Sequence, residues 1–375
     1  MTGRGLSSKQ KGNVAADAPA GPGGAPSKQR PDNGQTEPTM SQRILVTGGA
    51  GYIGSHAVLA LIAAGHAPVV VDNLATGRRW LVPDGVPFIE ADIGDAAAMD
   101  ALFAAHPIDA VLHFAGSVVV PESVADPLKY YGNNTCASRS LIAACLRAGV
   151  RRFVFSSTAA VYGIPEGLPV SEAAPTAPIN PYGESKLMIE AILRDVAAAH
   201  DFRYVALRYF NVAGADPDGR AGQATPEATH LIKVACEAAT GKRGHVAIFG
   251  TDFDTPDGTG VRDYIHVTDL AEAHVAALAY LAGGGASTVA NCGYGRGYSV
   301  REVMAAVEAA AGAPLDLRDA PRRAGDPPAL VADASRLRDL FDWAPRHDDL
   351  ARIAETALAW ERKMAARTED AAAGG

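Results

Sequence analysis

Tyr182 and Lys186 lie four residues apart in the stretch Pro181-Tyr182-Gly183-Glu184-Ser185-Lys186. On a helix that spacing stacks both side chains on one face, one turn apart. An ammonium beside a phenol favours the phenolate by charge and by hydrogen bonding. A tyrosine that ordinarily ionises near pH ~10 thereby becomes a usable general base or acid. Tyr-x-x-x-Lys pairs also arise by chance on many helix surfaces. The pair gains meaning only if the rest of the chain brings a substrate and a hydride acceptor to the tyrosine.

The elements that must do so are read from apolar runs and glycine punctuation. Arg43-Ile44-Leu45-Val46-Thr47 is a short buried strand. It runs into Gly48-Gly49-Ala50-Gly51-Tyr52-Ile53-Gly54 and then into an Ala/Leu/Ile-rich helix ending at Gly65-His66. The next strand, Pro68-Val69-Val70-Val71-Asp72-Asn73, ends on an acid. Strand, glycine loop, helix, strand and terminal carboxylate form the dinucleotide fingerprint, here spaced G-x-x-G-x-x-G rather than G-x-G-x-x-G. Gly48, Gly51 and Gly54 let backbone approach a pyrophosphate on the helix N-terminus. Asp72 can accept hydrogen bonds from an adenosine ribose and would repel a 2′-phosphate, which favours NAD over NADP. Failing that role, Asp72-Asn73 simply starts a turn.

Strand and helix patterns then alternate. Strands are expected at 87–92, 110–116, 152–158 and 204–210, and helices at 96–105, 126–146 and 181–200. This alternation predicts an α/β fold: a Rossmann-type, doubly wound parallel sheet with helices on both faces. Ligands of such sheets sit outside the carboxyl ends of the strands. Gly48, Asp72, Asp92, Ala115 and Thr158 all fall at those ends. His113, inside an apolar strand, reads as a packed, hydrogen-bonded residue rather than a catalytic one. Asn133-Asn134-Thr135 is set aside, since Asn134-Thr135-Cys136 is no glycosylation sequon.

After Phe210 the regularity loosens. A loop over 211–225, a helix over 226–240, a short strand at 246–249, and helices near 269–281 and 300–311 suggest a smaller α/β lobe interleaved with the end of the sheet. The expected division is a dinucleotide-binding domain at 41–210 with returning segments about 262–292. The substrate lobe comprises 211–261 and 293–365. Residues 1–40, rich in Gly, Pro, Ala, Ser, Lys and Gln, cannot bury enough surface to offset ordering entropy and are expected to be disordered. Met40 is a candidate translation start, and 366–375 a flexible tail.

Composition excludes several function classes. The chain has 375 residues, 48% of them hydrophobic and 20% charged, which suits a soluble enzyme of two packed units. A net charge of −8 argues against nucleic acid as the main partner. No run approaches the roughly 20 apolar residues of a membrane span. Cys136, Cys145, Cys236 and Cys292 form no C-x-x-C pair. No metal site or disulfide framework is therefore expected, and buried thiols in a reducing cytosol are the default.

Taken in order, the motifs resemble the extended short-chain dehydrogenase/reductase family, in its NAD-dependent epimerase/dehydratase branch that acts on UDP-sugars at C4. The match covers about residues 43–362. It rests on Val46-Thr47-Gly48-Gly49-Ala50-Gly51-Tyr52-Ile53-Gly54, Asp72-Asn73-Leu74, His113-Phe114-Ala115-Gly116, Tyr182-Gly183-Glu184-Ser185-Lys186, Arg208-Tyr209-Phe210-Asn211 and Val261-Arg262-Asp263-Tyr264-Ile265-His266-Val267. The resemblance implies reversible C4 epimerisation of UDP-glucose and UDP-galactose, through a 4-keto sugar and transient NADH. It implies Tyr182 as acid/base, Lys186 holding the nicotinamide ribose and depressing the tyrosine, and Thr158 bonding the sugar C4 hydroxyl. NAD contacts are implied at Gly48, Gly51, Tyr52, Ile53, Gly54, Asp72, Asn73, Leu74, Ala75, Thr76, Gly77, Asp92, Ile93, Phe114, Ala115, Gly116, Asn133, Ser156 and Phe210. Nucleotide-sugar contacts are implied at Asn211, His230, Leu231, Arg262, Tyr264, Arg323 and Asp326. Arginine suits 262 and 323 because its planar fork pairs phosphate oxygens bidentately. A homodimer pairing helices that include the one with Tyr182 is implied as well.

Departures from the pattern are informative. Relatives that go on to eliminate or decarboxylate carry a carboxylate directly after the Thr158-like hydroxyl. Here Ala159 and Ala160 follow, and neither moves a proton. Val118 stands where some epimerases have a cofactor-contacting lysine. Lys233 stands where proline is common. Leu330 stands where a tyrosine restricts the C2 substituent, which leaves N-acetylated hexoses and pentoses open as substrates. A nucleotide-sensing homologue without chemistry is the competing class, and the presence of Tyr182, Lys186 and Thr158 together counts against it.

Overall fold

The computed structural model describes residues 41–225, 228–323 and 326–373, with side chains up to 367. The expected disorder of 1–40 and the Met40 start lie outside the described residues. A seven-stranded, wholly parallel sheet forms the centre. Its spatial order is Thr288–Cys292, Arg203–Tyr209, Arg152–Thr158, Ala110–His113, Arg43–Thr47, Ala67–Asp72, Phe88–Glu90. Chain direction of build-up reverses between Arg43–Thr47 and Ala110–His113, the topological switch where such sheets take ligands.

Successive strand residues point to opposite faces, and the two faces bury separate cores. Ile44, Val46, Val70, Leu112, Val154 and Val205 pack with Val58 and Leu61 of the helix Tyr52–Ala63 and with Leu270, Ala277 and Leu281 of the helix Val267–Ala282. Leu45, Val71, Val111, Phe153 and Phe155 pack with Met99 and Leu102 of Ala96–Ala105, with Leu141 and Ile142 of Ala137–Ala148, and with Ile189 and Leu193 of Pro181–Ala199. Burial on both faces explains why these strands read as continuous apolar runs. The helix with Tyr182 starts cleanly because Asn180 caps the Gly183 amide at 2.9 Å and Pro181 occupies its first turn.

Beyond the sheet, Asn211–Ala213, Val261–His266, Gly297–Ser299 and Ala329–Leu330 form a second, mixed sheet, and Val246–Phe249 pairs with Leu317–Ala320. Several boundaries differ from expectation. The helix expected over 226–240 is Leu231–Ala239, preceded by non-helical 228–230. The helical stretch 126–146 contains a π-turn, Tyr131–Cys136. The last helix, Leu350–Ala373, runs through most of the expected flexible tail. Its Glu361 is fully buried and is gripped by Lys233 and Lys242, so Lys233 fastens this helix to Leu231–Ala239. Cys145, Cys236 and Cys292 are buried as expected, but Cys136 is exposed.

Candidate active site

The glycine loop is a cradle that side chains would fill. Gly48 has φ +68°, and a Cβ there would stand 2.7 Å from the Ala115 amide nitrogen. A Cβ on Gly54 would stand 2.1 Å from the Gly48 carbonyl oxygen. These contacts draw the loop against Phe114-Ala115-Gly116 at the end of the adjacent strand. The helix Tyr52–Ala63 begins at Gly51 with no side-chain cap and no acid in its first turn, which leaves its first amides, including those of Tyr52 and Ile53, available to an anion.

Asp72 is 8% exposed and shapes the neighbouring loop. Its Oδ2 accepts from the Ala50 amide at 3.0 Å and its Oδ1 from the Leu74 amide at 2.8 Å. The second bond holds Leu74 at φ +59°, a left-handed conformation unusual for leucine. Burial raises the Asp72 carboxyl while these two bonds oppose it. The turn role is thus met. Asn73 bonds Asp92 Oδ2 at 3.1 Å, while Ala75 and Thr76 are exposed and Gly77 is packed against Asp72. Ile93 is buried under this rim. Uncapped helix, backbone cradle and rim carboxylate fit a dinucleotide.

Lys186 is 2% exposed. Its Nζ donates to the Ser156 carbonyl at 3.0 Å, lies 5.0 Å from the Phe155 ring, and is the nearest cation to the open side of Gly116. Burial brings its ammonium down to about 8. Tyr182 is half-buried, meets the Tyr130 ring edge-on at 6.4 Å, and has the Thr158 hydroxyl near enough to work against the rise in its pKa. Thr158 Oγ1 accepts from the Ala160 amide at 3.1 Å, which leaves its proton free to be donated to the phenol. Burial raises Tyr182 above its ordinary value, and the Thr158 hydroxyl opposes this. The expectation that Lys186 depresses Tyr182 is thus not met by the chain's own residues. The amine is itself destabilised by burial and spent on a carbonyl, so the phenol stays protonated at neutral pH.

This lysine makes stability depend on pH. Below about 8 both folded and unfolded chains hold the proton, and the folded one bears the strain of a buried ammonium. Between about 8 and ~10.5 the unfolded chain binds a proton that the folded one lacks, so unfolding free energy rises with pH. Lys186→Met is expected to exceed the parent in stability near neutrality, by about 3 kcal/mol at most, and to lose that advantage across this window. Denaturant titrations of both proteins, stripped of bound nucleotide, at pH 7.5 to 10.5 check it; parallel pH profiles would refute it.

The surrounding residues act as supports. His113 is 1% exposed and bonds Thr47 Oγ1 and Ser138 Oγ, each at 2.7 Å; burial lowers it to about 3, with the Lys186 charge adding to this. It is packed and neutral. Asn134, dismissed as part of a failed sequon, accepts from the Ser117 amide at 2.8 Å and donates to Ser185 Oγ at 3.0 Å. It ties the Gly116 loop to the Tyr182 helix. Asn133 bonds Ser117 Oγ at 2.9 Å, and Ser156 Oγ bonds the Tyr209 hydroxyl. The π-turn supplies both asparagines, a frequent use of such turns.

On the lobe side, Asn211 pairs in register with Tyr264. Burial raises Tyr264 to about 12 against the opposing Arg262 charge. Burial also lowers Arg262, which Asp326 opposes. Asn211 thus lies beside the strand that carries Arg262 and Tyr264, and Asp326 acts on Arg262 by charge. His230 and Arg323 come from neighbouring segments: His230 Nδ1 meets Gln223 Nε2 at 2.8 Å just ahead of Leu231, and Arg323 lies 3.9 Å over the Phe249 ring. Phe210 and Leu330 pack beside Val161, Tyr162 and Val170. Val118 is 46% exposed. Glu190, on the buried face of the Tyr182 helix one turn past Lys186, is not singled out by the sequence, although its i, i+4 spacing from that lysine is visible there.

A nucleotide cradle, a tyrosine–threonine pair and a buried lysine at the carboxyl ends of a parallel sheet define a dinucleotide-dependent enzyme of sugar-nucleotide chemistry. The chain belongs to the NAD dependent epimerase/dehydratase family, whose model matches residues 44–293. A UDP-glucose 4-epimerase of Azospirillum brasilense is 61% identical over 324 residues, 86% of this chain and 93% of that protein. The structure is similar to that of a UDP-glucose 4-epimerase from Stenotrophomonas maltophila with bound NAD and formylated UDP-arabinopyranose. There the TM-score is 0.84 and the identity 41%, over 87% of this chain and 99% of that one. It is also similar to a UDP-Glc/GlcNAc 4-epimerase of Campylobacter jejuni, at TM-score 0.77 and 49% identity, over 86% and 100% of the two chains.

Proposed function

We propose that this protein interconverts UDP-glucose and UDP-galactose by inverting C4. The observation that carries the reading is the buried Lys186, tied to the Ser156 carbonyl beside Gly116 at the strand ends, one helical turn from Tyr182. NAD, when bound, supplies a hydride acceptor and donor at C4, and its cationic ring favours the phenolate. Asp72, Asn73, Asp92 and the loop Gly48 to Gly54 would hold its adenosine and pyrophosphate; Phe114, Ala115, Gly116, Asn133, Ser156 and Lys186 would line its nicotinamide half.

Tyr182 takes the proton of the C4 hydroxyl as C4 is oxidised, and returns it when C4 is reduced on the opposite face. Thr158 aligns that hydroxyl with the phenol. Lys186 holds the ribose and contributes positive charge. Asn211, Arg262, Tyr264 and Asp326, with His230, Leu231 and Arg323 from neighbouring segments, hold the UDP moiety while the 4-keto sugar turns over. Ala159 and Ala160 offer no second acid or base, so the ketone is neither dehydrated nor decarboxylated.

Purified protein incubated with UDP-galactose, without added NAD, is expected to yield UDP-glucose, read by sugar analysis. Absence of product with or without NAD would overturn the proposal. A second reading, activity on N-acetylated or pentose UDP-sugars, is favoured by Leu330, which is smaller than tyrosine, and by the dual specificity named for the Campylobacter relative. Parallel kcat/KM measurements decide it: the glucose/galactose pair is expected to be largest, and a much larger value on another pair would reassign the substrate.

A homodimer is part of the proposal. It is supported by three exposed apolar residues, Val124 and Leu128, 64% and 79% exposed on short helices that contact the Tyr182 helix, and Met188 of that helix, 38% exposed. Among the described residues no helix is long and apolar enough to cross a membrane. A cytoplasmic location is in keeping with the unpaired thiols.

A further inference from the structure

Trp80 has no place in the site described above. It is 39% exposed and lies three residues after Gly77, in the short 3-10 turn Arg79–Leu81. Its indole stacks on that of Trp360, in the helix Leu350–Ala373, with centroids 6.1 Å apart and planes at 24°. The same helix brings Arg367 to 4.3 Å from the Trp80 ring and Lys363 to 6.0 Å from the Trp360 ring.

Trp360 is a fixed platform. It is 3% exposed, its Nε1 donates to the Gln223 carbonyl at 3.2 Å, and a Cβ on Gly222 would stand 2.4 Å from its ring. Leu81, next to Trp80, is buried in the same cluster with Ala215, Ala221 and Trp360.

The segment leading into Trp80 is a strap with little burial of its own. Asn73, Ala75 and Thr76 are exposed. Its first end is fixed by Asp72, through the Leu74 amide. Its middle is held by the Arg78 amide donating to the Ala50 carbonyl at 2.8 Å, and by Gly77, whose Cβ would stand 2.8 Å from Asp72 Oδ1. Its far end is fixed by Trp80 and Leu81. Freeing Trp80 restores backbone entropy to the far end of the strap, and its middle then depends more heavily on the Arg78–Ala50 bond and the Gly77 packing. The strap borders Asp72 and the glycine loop, where the proposed function seats the adenosine half of NAD.

We propose that Trp80 and Trp360 are positioning residues that retain the dinucleotide: the C-terminal helix clasps the strap shut over it. The inference rests on NAD occupying that cradle. An epimerase returns the same hydride to its sugar, so slow cofactor release matters to it, and the clasp lies outside the reacting centre.

The test is NAD release from the purified holoenzyme. Free nucleotide is removed at intervals and the NAD still bound is assayed, for the parent, Trp80→Ala and Trp80→Phe. Trp80→Ala is expected to release NAD up to about tenfold faster, matching the loss of one aromatic pair, and Trp80→Phe to restore most of the retention. A merely structural role predicts instead a lower melting temperature of the stripped protein without faster release. Should Trp80→Ala fail to fold, Arg367→Ala, a surface change, is expected to accelerate release in the same direction and to a smaller extent. Release at the parent's rate from the folded variant, or an acceleration that phenylalanine does not reverse, overturns the clasp. A parent protein that neither carries nor takes up NAD would instead overturn the functional reading itself.

Discussion

Tyr182→Phe is expected to lower kcat by about 10²–10⁴-fold, the range that one positioned acid/base group supplies. The substitution removes a single oxygen. The ring keeps its edge-on contact with Tyr130 at 6.4 Å, and the helix keeps its Asn180 cap. NAD content is expected to stay at the parent's level, because Asp72, the glycine loop and Lys186 make none of their bonds through the phenol. The variant therefore separates chemistry from binding. It also tests the activation of Tyr182, which burial raises and the Thr158 hydroxyl works to lower. Steady-state assays with UDP-galactose, beside measurement of bound NAD, give the result. Turnover within a few-fold of the parent would remove Tyr182 from the mechanism and favour a nucleotide-sensing role for this fold.

The sequence discloses those parts of the molecule whose physics is local. Gly48, Gly51 and Gly54 are legible because a strand-to-helix turn with no room for Cβ writes itself in consecutive residues. Asp72 is legible by its place at a strand end, and Tyr182 with Lys186 by one helical turn. Parallel strands buried on both faces announce themselves as apolar runs. What stayed hidden is non-local. Glu190 meets Arg208 across 18 positions, and Tyr162 meets Asn291 across 129. Asn134 failed a motif test that asked the wrong question, since its partners are Ser117 and Ser185. Lys233 made no sense beside its neighbours because its partner Glu361 lies 128 residues on. The clasp at Trp80 pairs it with Trp360, 280 positions on, and only Arg367 of the clasp falls in the stretch read as a tail. Sequence spacing also misjudged the helix before Thr240, where the five residues ahead of Leu231 look helical in pattern but those described are taken up by the lobe's loop.

Glu190→Gln is expected to destabilise the protein by about 3–5 kcal/mol and to reduce turnover more than binding. Glu190 and Arg208 are each 6% exposed. The guanidinium meets the carboxylate in a fork, Nε to Oε1 at 2.9 Å and NH2 to Oε2 at 2.5 Å, and Ser157 Oγ donates to the same Oε1. Arg208 NH1 also reaches the Tyr162 hydroxyl at 3.0 Å, which bonds Asn291 Oδ1 at 2.7 Å. Burial works to lower Arg208, yet the Glu190 bond and charge hold it above its ordinary value. Taking away the carboxylate charge strands that guanidinium in a dry site, where an unmatched charge costs several kcal/mol. The effect on turnover follows from position. Glu190 is one turn beyond Lys186 and two beyond Tyr182 on one helix, while Ser157 directly precedes Thr158 on the facing strand. The network therefore fixes the height of the phenol against Thr158, and alignment of that kind is lost before a nucleotide site on other loops is. Replacing both partners, Glu190→Gln with Arg208→Gln, removes the stranded charge and is expected to recover most of the stability. Denaturant midpoints of the parent, both single variants and the pair measure the coupling. A pair no more stable than Glu190→Gln alone would show that the buried charges do not act as one unit, and the register argument would fall with it.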